Sequence, residues 1–463
     1  MSEEMKTLRK QLLRDSRSGY DVLEEAQLRQ MEDYCADYKA FLGNKTERLS
    51  ARAAIAAAEA HGFVEYRRGM ALEAGDKVYT CNRGKGLMLA VMGRESMAEG
   101  VQIAAAHIDS PRLDLKPNPL YEDSELAYFK THYYGGIRKY QWVTIPLQLQ
   151  GVVVKKDGTA VEVCIGEKGE PQLVITDLLP HLGGEQGKKP LSEAIPAETL
   201  NILLGSRPLG DEDDSDRVKL HVMKRLYDKY GITEADFASA ELEAVPAADA
   251  VDIGIDGSMI GSYGHDDRVC GYAALRALLE LDAPAKTAVC VLADKEEIGS
   301  MGVTGMQSAV FETFLSDLCD SQNVPLKVCF ENSFCLSADV TAAYDPNFAD
   351  VFDKKNAAFL NHGVGLCKYT GARGKSGSSD AGAETVAYVR SLLDGAGVRW
   401  QICELGKVDA GGGGTVAQYM ANRNIATLDA GVPVLSMHAP FEVVAKLDCY
   451  EMYRACKAIY EAR

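Results

Sequence analysis

At 463 residues the chain is longer than one compact core usually occupies, so two domains, or one domain carrying a large insert, are expected. Hydrophobic residues at 46% and charged residues at 25% describe an ordinary soluble globular protein, and no apolar run reaches the roughly 18 residues of a membrane span. The formal net charge of −17 repels phosphate backbones and anionic lipid, which argues against nucleic acid or membrane as partners and leaves any acidic ligand in need of a local basic contact.

In chain order, the first 21 residues are charged throughout and lack the apolar core and cleavage site of a secretory signal, so a cytoplasmic location is expected. The run "ARAAIAAAE" from Ala51 to Glu59, followed by "AHGF", predicts a helix with a glycine near its C-cap. Apolar runs of strand length follow at "GLMLAVMG", "VQIAAAHID", "AVCVLAD" and "LKVCFEN", with helical patterns such as "CGYAALRALLEL" between some of them. Strands alternating with helices predict an α/β fold with a sheet covered on both faces. Between about Tyr128 and Val245 the texture changes. "WVTIPLQLQGVVVKKDGTAVEVCIG" alternates apolar and polar residues around a Lys-Asp-Gly turn, which predicts a hairpin, and the charged "GDEDDSDR" follows. A β-rich insert over 129–245 is therefore expected between a first part, 1–128, and a second part, 246–463. The twelve cysteines are scattered, form no CxxC pair and sit largely in apolar runs, so they read as small buried hydrophobes.

Candidate metal ligands recur where apolar segments stop. "AAAHIDSPRLDL" ends a strand with His107 and Asp109, on one face at i and i+2, an imidazole with a carboxylate able to orient it. "SYGHDDRVCGYAAL" gives Asp266 before a helix, "DKEEIGS" gives Glu296 and Glu297, "LSADVTAAYDPN" gives Asp339 and "VLSMHAPFE" gives His438. Singly, each has an ordinary structural reading: a strand-end histidine, a helix N-cap pair, loop carboxylates, a loop histidine. Together they mark the crevice at the carboxyl ends of the strands, where open α/β sheets bind ligands. Two histidines with several carboxylates suit zinc, cobalt or manganese better than magnesium. Adjacent side chains on an extended segment diverge, so one glutamate of the pair can grip a metal while its neighbour faces the water held there and takes its proton.

The segments "AAHIDSPRLDLKP", "YGGI", "HDDRVC", "DKEEIGS", "SADVTAAYDPN" and "SMHAPFE", in that order from about Thr46 to Tyr450, resemble the aspartyl aminopeptidase family of dinuclear zinc metallopeptidases. The resemblance implies a metallopeptidase α/β/α sandwich with an inserted β-rich dimerisation domain, assembled into dimers and, in the family, into large cages such as dodecamers. It implies two divalent ions per subunit, zinc first with cobalt or manganese as alternatives. His107 and Asp339 would hold one ion, Glu297 and His438 the other, and Asp266 would bridge them. Glu296 would be the general base and Asp109 would orient His107. The implied activity is hydrolysis of the N-terminal residue of peptides, with Asp or Glu preferred. The alternatives are another two-metal amide hydrolase, such as a deacylase, and a catalytically idle metal-binding scaffold.

Some features depart from the family or stand outside it. Asp267 adds a carboxylate where eukaryotic members have asparagine. In "LLPHLGGEQ", His181 corresponds to a histidine that family members extend into a neighbouring subunit's site, though the spacing aligns poorly. Lys368 in "GVGLCKYTGARGKS", with Arg373 and Lys375 nearby, is the expected contact for an acidic substrate side chain. "GARGKSG" lacks the glycine spacing of a phosphate-binding loop, and "VDAGGGGTVAQ" reads as a close approach of backbone to ligand.

Overall fold

The computed structural model describes residues 2–14 and 17–463. A nine-stranded sheet forms its centre, in the order Val64–Glu65, Lys77–Asn82, Gly86–Val91, Thr287–Ala293, Val101–His107, Phe334–Ala338, Ala426–Gly431, Val364–Cys367, Trp400–Ile402. The four strands from Thr287–Ala293 to Ala426–Gly431 are mutually parallel. His107 pairs with Ala293 and Ala338 with Ala430, so their carboxyl ends finish at one edge of the sheet.

Period-two alternation divides these strands between two cores. Leu87, Leu89, Ala104, Ala106 and Leu336 face a core shared with helices Glu25–Phe41, Glu47–Ala60, His265–Leu279 and Lys446–Tyr460. Met88, Ala90, Ile103, Ala105 and Cys335 face the opposite core, beneath helices Val310–Asp320 and Leu326–Glu331. The fold is thus the expected α/β/α sandwich. The helix expected at Ala51–Glu59 spans Glu47–Ala60; its N-cap Thr46 accepts from the Leu49 N–H, and Ala51, Ala54 and Ala58 make its buried stripe.

One expected strand is a helix. "LKVCFEN" forms helix Leu326–Glu331, with Pro325 as N-cap, and the strand follows at Phe334–Ala338. A short apolar run carries no periodicity that separates the two states, and the proline ahead of it was the better guide.

A second, seven-stranded antiparallel sheet takes strands from Arg112 to Pro246 and has its own core around Trp142, Phe129, Leu113 and Leu149. Its Leu147–Val154 and Ala160–Ile165 strands form the hairpin around Lys-Asp-Gly. A third sheet, of five short strands, lies where the site is built. Met259–Ser262 leads into Asp266, Thr341–Ala342 follows Asp339, and Pro433–Leu435 and Glu442–Ala445 flank His438. No helix among the described residues is long and apolar enough to cross a membrane.

Candidate metal centre

Each candidate ligand stands where a regular element ends. His107 is the last residue of its strand, and Asp339 follows Ala338 in the neighbouring parallel strand. The register of Ala293 opposite His107 brings the next loop to the same point. There Lys295, at φ +67, turns the chain into a short 3-10 turn of Glu296–Ile298. Asp266 lies at the start of helix His265–Leu279, and His438, at φ +65, sits in the turn between Leu435 and Glu442.

The result is two groups of three side chains that share one member. His107, Asp266 and Asp339 form one, and Asp266, Glu297 and His438 the other; within each, the ligand atoms all lie within 4.8 Å of one another. Asp266 faces both ways. Its Oδ1 is 3.2 Å from His107 Nε2 and its Oδ2 is 3.2 Å from His438 Nε2. Asp339 Oδ1 lies 3.9 Å from His107 Nε2, and Glu297 Oε2 lies 3.5 Å from His438 Nε2. Glu296 belongs to neither group, but its Oε2 is 3.9 Å from His107 Nε2.

The groups behind this cluster fix the imidazoles. His107 Nδ1 donates to the Asp109 carbonyl at 2.9 Å, with the Asp109 carboxylate 3.3 Å away, and His438 Nδ1 donates to the Gly136 carbonyl at 2.8 Å. Each ring therefore turns Nε2 toward Asp266, as metal-binding histidines do when the other nitrogen is held. The Asp109 carboxylate also accepts the N–H groups of Glu296 and Glu297 at 3.2 and 3.3 Å. Buried Glu442 ties the remaining loops together, accepting the N–H of His438 at 2.7 Å and of Asp266 at 3.1 Å.

The donor set fits a divalent cation. Burial pushes the Glu297 and Asp339 carboxyls well above the usual carboxylate range, and the charge of Asp266 beside Glu297 and of Asp267 beside Asp339 pushes each further. Glu297 Oε1 is buried without a hydrogen-bond partner. Burial would raise Asp266 too, but hydrogen bonds from His107 and His438 hold it well below that range. Burial would lower the His438 imidazole, yet its Asp266 hydrogen bond and the Glu297 charge raise it to about 10. Crowded and buried in this way, the carboxylates and imidazoles strain one another's charge, and an ion seated in each triad would balance it. Burial also raises Glu296 to about 7, the range a general base needs near neutral pH. Asp267, beside Asp266, is fully buried, its carboxyl pushed well up by burial, and accepts the His107 N–H at 3.4 Å.

Neither Lys368 nor His181 belongs to either triad. Lys368 is half-exposed just after strand Val364–Cys367, where its Nζ pairs with Asp380 at 2.8 Å; Lys375 pairs with the same carboxylate at 3.1 Å. His181 is exposed in the turn after strand Val174–Ile175, and no hydrogen bond among the described residues ties it to the cluster. The glycine run makes a close approach, but to the chain itself: a Cβ on Gly412 would meet Ala372 at 2.3 Å and one on Gly411 the Leu405 carbonyl at 1.7 Å. Tyr134, Gly136 and Glu442 were not singled out from sequence. Their motifs "YGGI" and "SMHAPFE" were the available signal, but carried no role by residue type.

Gly431 matters to the cluster by what it lacks. A Cβ there would lie 1.7 Å from the Asp339 carbonyl oxygen. Gly431→Ala is therefore expected to push strand Ala426–Gly431 off Asp339 and to lower bound zinc per chain by elemental analysis; unchanged zinc content would contradict this.

A family model described as Aminopeptidase I zinc metalloprotease (M18) matches residues 44–460. The chain is 48% identical over 450 residues to a probable M18 family aminopeptidase 1 of Clostridium acetobutylicum, across 95% of this chain and 97% of that one. It superposes on the crystal structure of an M18 aminopeptidase from Thermotoga maritima with a TM-score of 0.93 at 42% identity, covering 97% of this chain and 99% of that one. A yeast mApe1 dodecamer shares the fold with a TM-score of 0.76 at 21% identity, over 93% and 99% of the two chains.

Proposed function

The chain belongs to the M18 family of zinc metalloproteases and is a metal-dependent aminopeptidase; on that premise we propose that it works through two divalent ions and prefers peptides with an acidic first residue. The observation that carries the two-ion reading is Asp266, whose two oxygens each lie 3.2 Å from the histidine of a different triad. His107, Asp339 and Asp266 would hold one ion; Glu297, His438 and Asp266 would hold the other. When bound, such a pair polarises the scissile carbonyl, lowers the pKa of the attacking water and stabilises the charge that develops.

The protein groups do the rest. Glu296, outside both ligand sets and beside His107, would take a proton from the attacking water and return it to the leaving amine. Asp109 holds the backbone of both glutamates through their N–H groups, which keeps the base and the ligand at a fixed offset. The paired loops around Glu442 keep His438 and Asp266 in mutual reach.

The acidic preference rests on Lys368, which an incoming carboxylate would have to draw away from Asp380. Lys368→Ala is expected to raise KM about tenfold or more for peptides beginning with Asp or Glu and to leave Leu-first peptides unchanged, since a charged hydrogen bond contributes about 1.5–3 kcal/mol. Equal effects on both substrates would remove Lys368 from specificity. We further propose that the seven-stranded sheet, which takes in residues 129–245 but begins at Arg112, acts as an assembly unit between the two parts of the sandwich, giving a homo-oligomer. His181 lies among exposed Leu178, Leu179 and Leu182, a surface that suits a second copy and would carry His181 toward a neighbour's site.

Cleavage of free peptides against N-acetylated ones, by chelated and zinc-reloaded protein, tests the activity itself. Zinc-dependent cleavage confined to free N-termini is the expected result. Equal cleavage of N-acetylated substrates would favour a deacylase.

A further inference from the structure

Three consecutive residues at the end of strand Leu126–Tyr134 each meet a different part of the metal cluster. The Tyr134 hydroxyl donates to Asp109 Oδ2 at 2.8 Å, and Asp109 is the carboxylate that receives the N–H groups of Glu296 and Glu297. Gly136 offers its carbonyl to His438 Nδ1. Between them Gly135, at φ +74, passes so close to the second triad that a Cβ would lie 3.3 Å from both Cβ and Oε2 of Glu297.

The segment is itself firmly held. Tyr134 is 7% exposed, and the Arg112 guanidinium sits 3.9 Å from its ring centroid. Buried Arg112 pairs with Asp114 at 2.8 Å, with Glu243 at 3.2 Å and with Glu47 at 3.3 Å. Glu47 opens a helix of the sandwich, whereas Asp114 and Glu243 belong to the seven-stranded sheet. The anchor of Tyr134 therefore spans both parts of the molecule.

We propose that Tyr134, Gly135 and Gly136 form a positioning clamp for the metal centre. Tyr134 sets Asp109, and through it the backbone of the base and of one ligand. Gly136 sets the ring of His438, and Gly135 permits the approach. The seven-stranded sheet then has a part in holding the ligands, beyond any part in assembly. The proposal rests on the two-ion reading above. Positioning groups of this kind are worth roughly 10–100-fold in metal affinity or activity.

The test compares Tyr134→Phe, which keeps the ring over Arg112 and removes only the hydroxyl, with Gly135→Ala, which puts a methyl group against Glu297. Tyr133→Phe, at the half-exposed neighbour on the opposite face of the strand, is the control. Zinc affinity is measured by competition with a chromophoric chelator, alongside kcat, KM and the thermal midpoint of the metal-free protein. In Tyr134→Phe, kcat and zinc affinity should each fall by roughly 10–100-fold while KM stays within about twofold and the metal-free midpoint stays near the wild-type value. Gly135→Ala should lose zinc affinity by at least as much, and Tyr133→Phe should match the wild type.

Wild-type kcat and zinc affinity in Tyr134→Phe would overturn the clamp whether or not Gly135→Ala folds. A raised KM with intact kcat would also overturn it, by moving Tyr134 to substrate binding. If Tyr134→Phe does not fold, Gly135→Ala is judged by the same two quantities. Wild-type protein that binds no zinc, or needs none for turnover, would instead sink the two-ion reading, a result seen before any variant is made.

Discussion

Glu296→Gln is expected to lower kcat by on the order of 10²–10⁴-fold while zinc content stays at the wild-type level. Glutamine has nearly the same shape but cannot accept the proton of the attacking water at neutral pH. The loop should not move, because the contact that fixes it is the main-chain N–H of residue 296 on Asp109, which the substitution leaves alone. Zinc should not leave, because Glu296 belongs to neither ligand group. Its neighbour provides the contrast. Glu297 is a member of the second group, with one carboxylate oxygen buried and unpartnered, so Glu297→Gln should lose zinc as well as turnover. Elemental analysis beside steady-state kinetics separates the two. A fully active Glu296→Gln, or one that loses zinc, would contradict the assignment.

Asp266→Asn should have the broader effect. Asp266 is the one residue common to both groups, and an amide in its place would turn an N–H₂ toward one of the two proposed ion positions. Loss of zinc from both positions on dialysis is expected, with turnover down by roughly 10²–10⁴-fold, since the ions contribute several kcal/mol of charge stabilisation. Asp339→Asn touches one group only and should spare the zinc held by Glu297 and His438. Equal zinc loss in the two variants would mean that the positions are not joined through Asp266.

Much of the cluster was legible in the sequence because its side chains mark element boundaries. An apolar strand ending in His-x-Asp, and another ending ahead of Glu-Glu, are local patterns, and parallel pairing turns both into neighbours at one sheet edge. What was not legible acts through main chain or over long separations. Gly136 contributes a carbonyl to a histidine 302 residues away, a bond that no residue type announces. Tyr134 is one aromatic among many until its hydroxyl is seen on Asp109. Lys368 read as one of a group of positive residues with Arg373 and Lys375, and only the fold shows Asp380 already paired with it, twelve residues on. "LKVCFEN" misled for another reason: so short an apolar run can bury one side as helix or as strand, and it formed the helix Leu326–Glu331 behind Pro325, with the strand following at Phe334–Ala338.

The central claim is that two ions, joined through Asp266, carry the peptidase activity. Titration of metal-free protein with zinc, following bound zinc per chain and cleavage of an unblocked Asp-first dipeptide together, tests it most directly. The account predicts that activity rises to its plateau only as the second equivalent per chain is bound. Full activity in the metal-free protein, or a plateau reached at one equivalent, would contradict it.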